Sequence, residues 1–220
     1  MSELQKNCLG VYRGHDGTVY CLDVRYESGR RSRKDDGDGS GDEGVKKRKK
    51  PSRRVEPVVG DGGVDGVILV SGSHDQSMIV WDVEIDSSRP KNVSVSLAQI
   101  QTLKSHTADV FALELFTDPE RKLGNLVSGG DYTLRTWNME QGRNLQTLSG
   151  HTGYIACLRV RGKRAFSGSW DTTIRSWNLE AGKAMHVFKG HKNIVNCIDV
   201  TDTDIFSGSW DMTVIQWSRA

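Results

Sequence analysis

Apolar and polar positions alternate along most of the chain in short runs, and the runs recur. "YIACLRV" (Tyr154 to Val160) and "IVNCIDV" (Ile194 to Val200) alternate and are rich in β-branched residues, as do "TTIRSW" and "MTVIQW". A period of two over such lengths predicts β-strands with one face toward a core. The stretches between them carry aspartate, as in Ser169 to Thr172, and predict hairpin turns. Segments such as "NLQTLSGH" and "AMHVFKGH" supply a further strand leading into the next unit. Each unit therefore reads as four short strands in one small sheet. Such a sheet cannot bury both faces alone, so the units must stack.

Aligned on histidine and tryptophan, the chain contains four such units. The first runs from "GHDGTVYCLDV" (Gly14 to Val24) to "LVSGSHDQSMIVWDV" (Leu69 to Val83), and the second from "SHTADVFALEL" (Ser105 to Leu115) to "LVSGGDYTLRTWNM" (Leu126 to Met139). The third runs from "GHTGYIACLRV" (Gly150 to Val160) to "AFSGSWDTTIRSWNL" (Ala165 to Leu179), and the fourth from "GHKNIVNCIDV" (Gly190 to Val200) to "IFSGSWDMTVIQW" (Ile205 to Trp217). His151 and His191 are 40 residues apart and His106 and His151 are 45 apart, while 91 residues separate His15 from His106, so the first unit carries additions.

A Gly-His followed by Trp-Asp, recurring every 40 or so residues, resembles the WD-repeat β-propeller family. The resemblance covers all of the chain except residues 26–66 and 84–98. It implies an all-β fold of four blades of four antiparallel strands. Residues 1–220 then form one propeller domain with repeats at about 7–83, 99–139, 145–179 and 185–217. The departures are specific. Only the first repeat ends in Trp-Asp (Trp81, Asp82), the others ending in Trp137-Asn138, Trp177-Asn178 and Trp217-Ser218. The second has Ser105 for glycine and a turn one residue short at Gly130, so its polar network is expected to be the least regular.

The family's fold implies a buried relay in each blade, from aspartate to histidine to serine to tryptophan. By position the sets are Asp75, His15, Ser71 and Trp81; Asp131, His106, Ser128 and Trp137; Asp171, His151, Ser167 and Trp177; Asp211, His191, Ser207 and Trp217. A buried imidazole or indole N–H without a partner costs about 1–3 kcal/mol, so a satisfied chain of this kind holds a blade together. The rival is a Ser-His-Asp hydrolase. A triad occurs once in an enzyme, whereas this set occurs four times, each with its own tryptophan and without a G-x-S-x-G elbow. The sets read as structural, with no catalytic residue.

Family rings mostly have seven or eight blades, and four is the minimum for a propeller. The first strand usually completes the last blade, and the phase of "NCLGVYRGH" permits that here. Four repeats favour an open arc or a part of a larger ring. Half of an eight-blade assembly latched to a copy of itself and a small closed ring are the alternatives. Open sheet faces would bind or self-associate.

Composition sharpens the picture in the first repeat. Residues 27–65 are rich in Gly, Ser, Asp, Lys and Arg, and read as a disordered charged insertion. "RRSRK" (Arg30 to Lys34) and "KKRKK" (Lys46 to Lys50) resemble a bipartite nuclear localisation signal. The same basic residues, within 30–54, could touch nucleic-acid phosphates, though no aromatic interleaves them for stacking. "DGDGSG" (Asp36 to Gly41) starts like a calcium loop, but Glu43 and Lys47 stand where an apolar residue and a glutamate are needed. Glu84 to Ala98 reads as a longer surface loop. The net charge of +2 favours no partner class.

No run of about 18 apolar residues predicts a membrane span, and the N-terminus lacks a signal-peptide core. The expected location is intracellular, in nucleus or cytoplasm. The four cysteines form no CxxC pair, which argues against zinc and a disulfide framework. Cys21, Cys157 and Cys197 share one repeat position with Ala112 and read as small core residues. No metal, cofactor or phosphate site is expected.

Function is then expected on the surface. The resemblance implies a protein or peptide partner on the face carrying the loops before the first strand and between the second and third. There stand His74, Tyr154, Trp170, Lys192, Ile194 and Trp210, with Asp16, Thr18, Thr107, Asp109, Gly130 and Thr152. Trp170 and Trp210 are expected to form an anchor patch with Tyr154 and Ile194, and Lys192 beside it favours an acidic or phosphorylated peptide. The reading is a non-enzymatic interaction scaffold. "FSGSWDxT" repeats are similar to those of F-box propellers, which makes a substrate-recognition subunit of a ubiquitin ligase one alternative, although no F-box is visible. A nuclear, nucleic-acid-associated factor using the basic insertion is the other.

Overall fold

The computed structural model describes residues 11–27, 66–86, 94–117 and 125–219. Most of the charged insertion, both basic clusters, the Asp36–Gly41 stretch and Cys8 lie outside the described residues. Within them the chain is all β, in four antiparallel sheets. Blade one comprises β1 (Val19–Glu27), β2 (Gly66–Ser73), β3 (Ser77–Asp86) and β4 (Ser94–Lys104). Blade two comprises β5 (Ala112–Leu115), β6 (Leu126–Gly129), β7 (Thr133–Asn138) and β8 (Arg143–Ser149). Blade three comprises β9 (Ile155–Arg161), β10 (Arg164–Ser169), β11 (Thr173–Asn178) and β12 (Lys183–Lys189), and blade four β13 (Val195–Val200), β14 (Asp204–Ser209) and β15 (Val214–Ser218).

Two expectations need correction. Blade four has three strands rather than four among the described residues, and residues 11–15 form no strand. They lie along blade one, where Tyr12 donates its hydroxyl to the Val95 carbonyl at 2.6 Å. The segment from Glu84 to Ala98 is not simply a loop. β3 and β4 continue their ladder through Glu84↔Ser96, Ile85↔Val95 and Asp86↔Ser94. Alternating Ile85, Val95 and Leu97 give these arms the strand period.

The charged insertion leaves blade one's register undisturbed, since β1 and β2 pair out to Glu27↔Gly66. Closing a loop costs entropy only logarithmically in its length, so a sheet with paired ends can carry a long excursion.

The inner strands stack in chain order, β1 on β5, β5 on β9 and β9 on β13. Each blade has a forward face toward the next blade and a rear face toward the previous one, and the core lies in the three junctions. Between blades one and two, forward-facing Cys21, Val70 and Met78 meet Val110, Leu113, Leu126 and Trp137. Between two and three, Ala112, Val127 and Leu134 meet Ile155, Leu158, Val160, Ala165 and Trp177. Between three and four, Cys157, Phe166 and Ile174 meet Val195, Ile198, Val200 and Ile205. The same repeat positions serve at every junction. A glycine at or next to the end of the second strand in blades one to three leaves room for a knob from the next blade. A Cβ on Gly168 would lie 2.6 Å from Val195 Cγ1 and 2.7 Å from Cys157 Sγ, and one on Gly72 would lie 2.8 Å from Val110 Cγ1.

Candidate functional site

Each blade's histidine comes from the loop before its first strand, its serine from the second strand, its aspartate from the turn and its tryptophan from the third strand. A register shift in the third-to-fourth-strand ladder immediately precedes Trp81, Trp137 and Trp177. A bulge there re-aims the side chain, and Trp217, whose strand has no fourth-strand partner among the described residues, reaches Ser207 without one. In blade three, His151 Nδ1 is 2.7 Å from Asp171 Oδ2, His151 Nε2 is 2.8 Å from Ser167 Oγ, and Trp177 Nε1 donates to Ser167 Oγ at 2.8 Å. The corresponding distances are 2.9, 2.8 and 2.9 Å in blade one, 2.9, 2.7 and 2.8 Å in blade two, and 2.8, 2.8 and 2.8 Å in blade four.

Chemistry fixes the proton positions. An ionised carboxylate only accepts, so Nδ1 carries the ring proton. Nε2 then accepts from the serine hydroxyl, whose oxygen accepts from the indole. Burial alone would raise the Asp171 pKa, but donors from His151, Thr173 and Thr152 outweigh it and hold the carboxyl well below its ordinary range. Burial lowers the His106 pKa against the pull of Asp131, which favours the neutral ring. All four serines are buried, and each oxygen is already occupied on both sides. A nucleophile needs an open approach for its substrate, and Ser128, Ser167 and Ser207, at most 1% exposed, offer none, while Ser71, 5% exposed, borders a pocket with His15 and Trp81.

Blade two departs from the others at its turn and at Ser105 and Ala112. Its relay distances match, so the shortened turn does not make the relay less regular. The backbone N–H groups of Asp75, Asp171 and Asp211 donate to Ser73, Ser169 and Ser209 Oγ within their turns, and Gly130 cannot offer that acceptor. Instead Arg135 donates to Asp131 at 2.9 Å and to the Ser105 carbonyl at 2.7 Å. In every turn the residue after the aspartate is left-handed without being glycine: Gln76, Tyr132, Thr172 and Met212, at φ of 67–69°.

The loops that hold the relays also build a face. Tyr154 and Trp170 pack edge to face with centroids 5.2 Å apart, and Phe111 lies 5.7 Å from the first and 5.8 Å from the second. Tyr132 stacks on Tyr154 at 4.9 Å, and Tyr20 on Phe111 at 4.8 Å. His74 meets Tyr20 at 6.3 Å and pairs with Asp109 at 2.7 Å. Desolvation and the charge of Asp109 raise the Tyr20 pKa, and contact with Tyr132 raises that of Tyr154, so both remain neutral phenols. Tyr20, Tyr132 and Trp170 are exposed.

Of the six residues expected to contact a partner, Tyr154, Trp170 and His74 fall in this cluster, which spans blades one to three. Trp210, Ile194 and Lys192 do not. Trp210 N–H donates to the Ile194 carbonyl at 3.0 Å and Lys192 N–H to Asp211, all on blade four. Among the described residues no ring contact joins Trp210 to Trp170. Tyr20, Phe111 and Tyr132 were not anticipated. Tyr20 and Phe111 follow the apolar knob of their strands, and the "VY" and "VF" steps were their only signal.

Among the described residues no group of three or more His, Cys, Asp or Glu could hold a metal ion. No helix among them is long and apolar enough to cross a membrane.

The family model described as "WD domain, G-beta repeat" matches residues 62–82, 97–138, 142–178 and 182–218. The chain is similar to WD repeat-containing protein pop1 of Schizosaccharomyces pombe, 27% identical over 166 residues, which is 71% of this chain and 20% of that protein. It is also similar to Mitochondrial division protein 1 of Mycosarcoma maydis, 38% identical over 71 residues, 32% of this chain and 8% of that protein. It thus spans no more than a fifth of these relatives. Among solved structures, the computationally designed Ika4 protein superposes with a TM-score of 0.56 at 29% identity, over 69% of this chain and 84% of that one.

Proposed function

Because the chain belongs to the WD-repeat family, whose domains mediate protein interactions, we propose that it is a non-enzymatic scaffold binding a protein or peptide through the aromatic face of blades one to three. The observation that carries this is the connected cluster of Tyr20, Phe111, Tyr132, Tyr154 and Trp170, partly open to solvent on loops that the relays hold rigid. Aromatic anchors on a pre-formed surface lose little entropy on binding and dominate interface energies. Asp109 and the ring faces suit an apolar or cationic anchor of the partner better than the acidic one that Lys192 suggested.

Quantitative affinity purification of partners tests the site. Tyr154→Ala with Trp170→Ala is expected to reduce the main partner at least about tenfold, while Trp210→Ala leaves it unchanged. Retention of the partner by the double variant would overturn the proposal.

A further inference from the structure

The two ends of the arc are the two halves of one junction. On the rear face of blade one, Val19 occupies the knob position of Val110, Ile155 and Val195. It is 47% exposed and the other three are buried. Leu22, the counterpart of buried Leu113, Leu158 and Ile198, is 63% exposed. On the forward face of blade four, Phe206 is 36% exposed and Val214 76% exposed, whereas Phe166 and Ile174 at the same positions of blade three are buried. The hole is there too. A Cβ on Gly208 would meet Cys197 Sγ at 2.7 Å and nothing from a following blade, whereas one on Gly168 would also strike Val195.

Part of the polar rim repeats at the first two junctions. In blade one Asp23 accepts the Leu115 N–H of the next blade at 2.8 Å, and in blade two Glu114 accepts the Val160 N–H at 3.0 Å. Blade three has Arg159 at this position, and in blade four Asp199, with an exposed side chain, accepts from Arg159 Nε at 3.4 Å and from the Val200 N–H at 3.0 Å. The next blade would present it with the N–H of the residue at Val24's position. Likewise the Ser73 and Gly130 carbonyls receive the N–H of Val110 and Ile155, and Ser209 is the equivalent acceptor at the open end.

We propose that a second copy of this chain covers both ends, the rear face of blade one in each copy stacking on the forward face of blade four in the other. The chain makes this contact three times internally with the same residue positions, so the end faces match each other before any other partner is considered. A head-to-tail contact either closes or propagates. Two copies of the four described blades give eight, within the range in which propeller rings close, and three copies would exceed it. The closed pair seats Val19 against Gly208 and Cys197, beside Val214, which is the cross-strand partner of Gly208.

Sedimentation equilibrium of the whole chain is the test. A concentration-dependent species of twice the monomer mass is expected. Val19→Asp alone and Val214→Lys alone should each leave a folded monomer, weakening association at least about a hundredfold; both sites are exposed, so circular dichroism should remain unchanged. An equimolar mixture of the two variants should recover the dimer, because one junction then sets the introduced carboxylate against the introduced ammonium and the other is wild type. A wild-type monomer up to about 100 μM, a dimer that survives either single change, or a mixture that stays monomeric would each overturn the proposal.

Discussion

Blades three and four share the turn sequence "FSGSWD" and the same relay geometry to within 0.1 Å, yet their surroundings differ completely. Phe166 and Ile174 are buried under blade four, whereas Phe206 and Val214 stand in the open. Trp177 is sealed and Trp217 only half-buried. The relay is thus a property of the single blade, built from residues within one repeat, and the hydrophobic core is a property of the junction. Blade four keeps its hydrogen bonds without a successor. What it lacks is apolar burial, the larger share of folding energy.

Truncations at equivalent positions break the comparison most forcibly. Trp177→Ala removes a fully buried indole and should cost about 3–5 kcal/mol in urea unfolding, while Trp217→Ala should cost less than half of that. Next, Ile174→Ala should cost about 2–5 kcal/mol, and Val214→Ala less than about 0.5 kcal/mol in the monomer. Equal losses at Ile174 and Val214 would mean that the open face is covered in solution; Trp217 faces blade three beside Phe188, and its partial exposure comes from the lack of a fourth strand among the described residues.

Acidity separates the regions more gently. Burial raises the Glu114 pKa from its ordinary 4.5 to about 7, against the pull of the Val160 N–H and Arg159. Folding therefore favours the protonated form, so this contribution is complete below pH 4.5 and fades as pH rises through about 7. Glu114→Gln should flatten that part of the stability profile measured by urea unfolding across pH 4–8. The relay aspartates have the opposite sign. Their lowered pKa values stabilise the fold above their ordinary range, and that stability is lost as the solution becomes more acidic.

The least perturbing probe is alkylation. Burial pushes the Cys157 thiol up to about 12 and its sulfur faces the Val195 carbonyl, whereas Cys197 is exposed. At about pH 8, peptide mapping should find Cys197 modified at least about a hundredfold faster than Cys157. Dimerisation as proposed should slow Cys197 toward the Cys157 rate.

The division between blade and junction also explains what the sequence could reveal. The relays were legible, residue by residue, because their partners sit at fixed offsets within one repeat. The strands followed from alternation for the same reason. The aromatic cluster was not legible. Trp170 meets Phe111 of the preceding blade rather than Trp210 of the following one, and only the direction in which blades lean on each other decides that. The extended β3–β4 hairpin was hidden by charged and serine-rich sequence around its tip. That blade four has three strands among the described residues depended on where residues 11–15 lie, which no local pattern encodes.

The left-handed residue in each turn carries a consequence of its own. Holding a non-glycine there costs about 1 kcal/mol or more, yet an amide, a phenol, a branched alcohol and a thioether all occupy it at nearly one angle. The neighbouring aspartate clamps the turn through backbone donors and is indifferent to what the clamped residue carries. The four sites therefore work like sockets of fixed orientation. Their contents can be exchanged to retune what the surface recognises, and the scaffold beneath need not be redesigned.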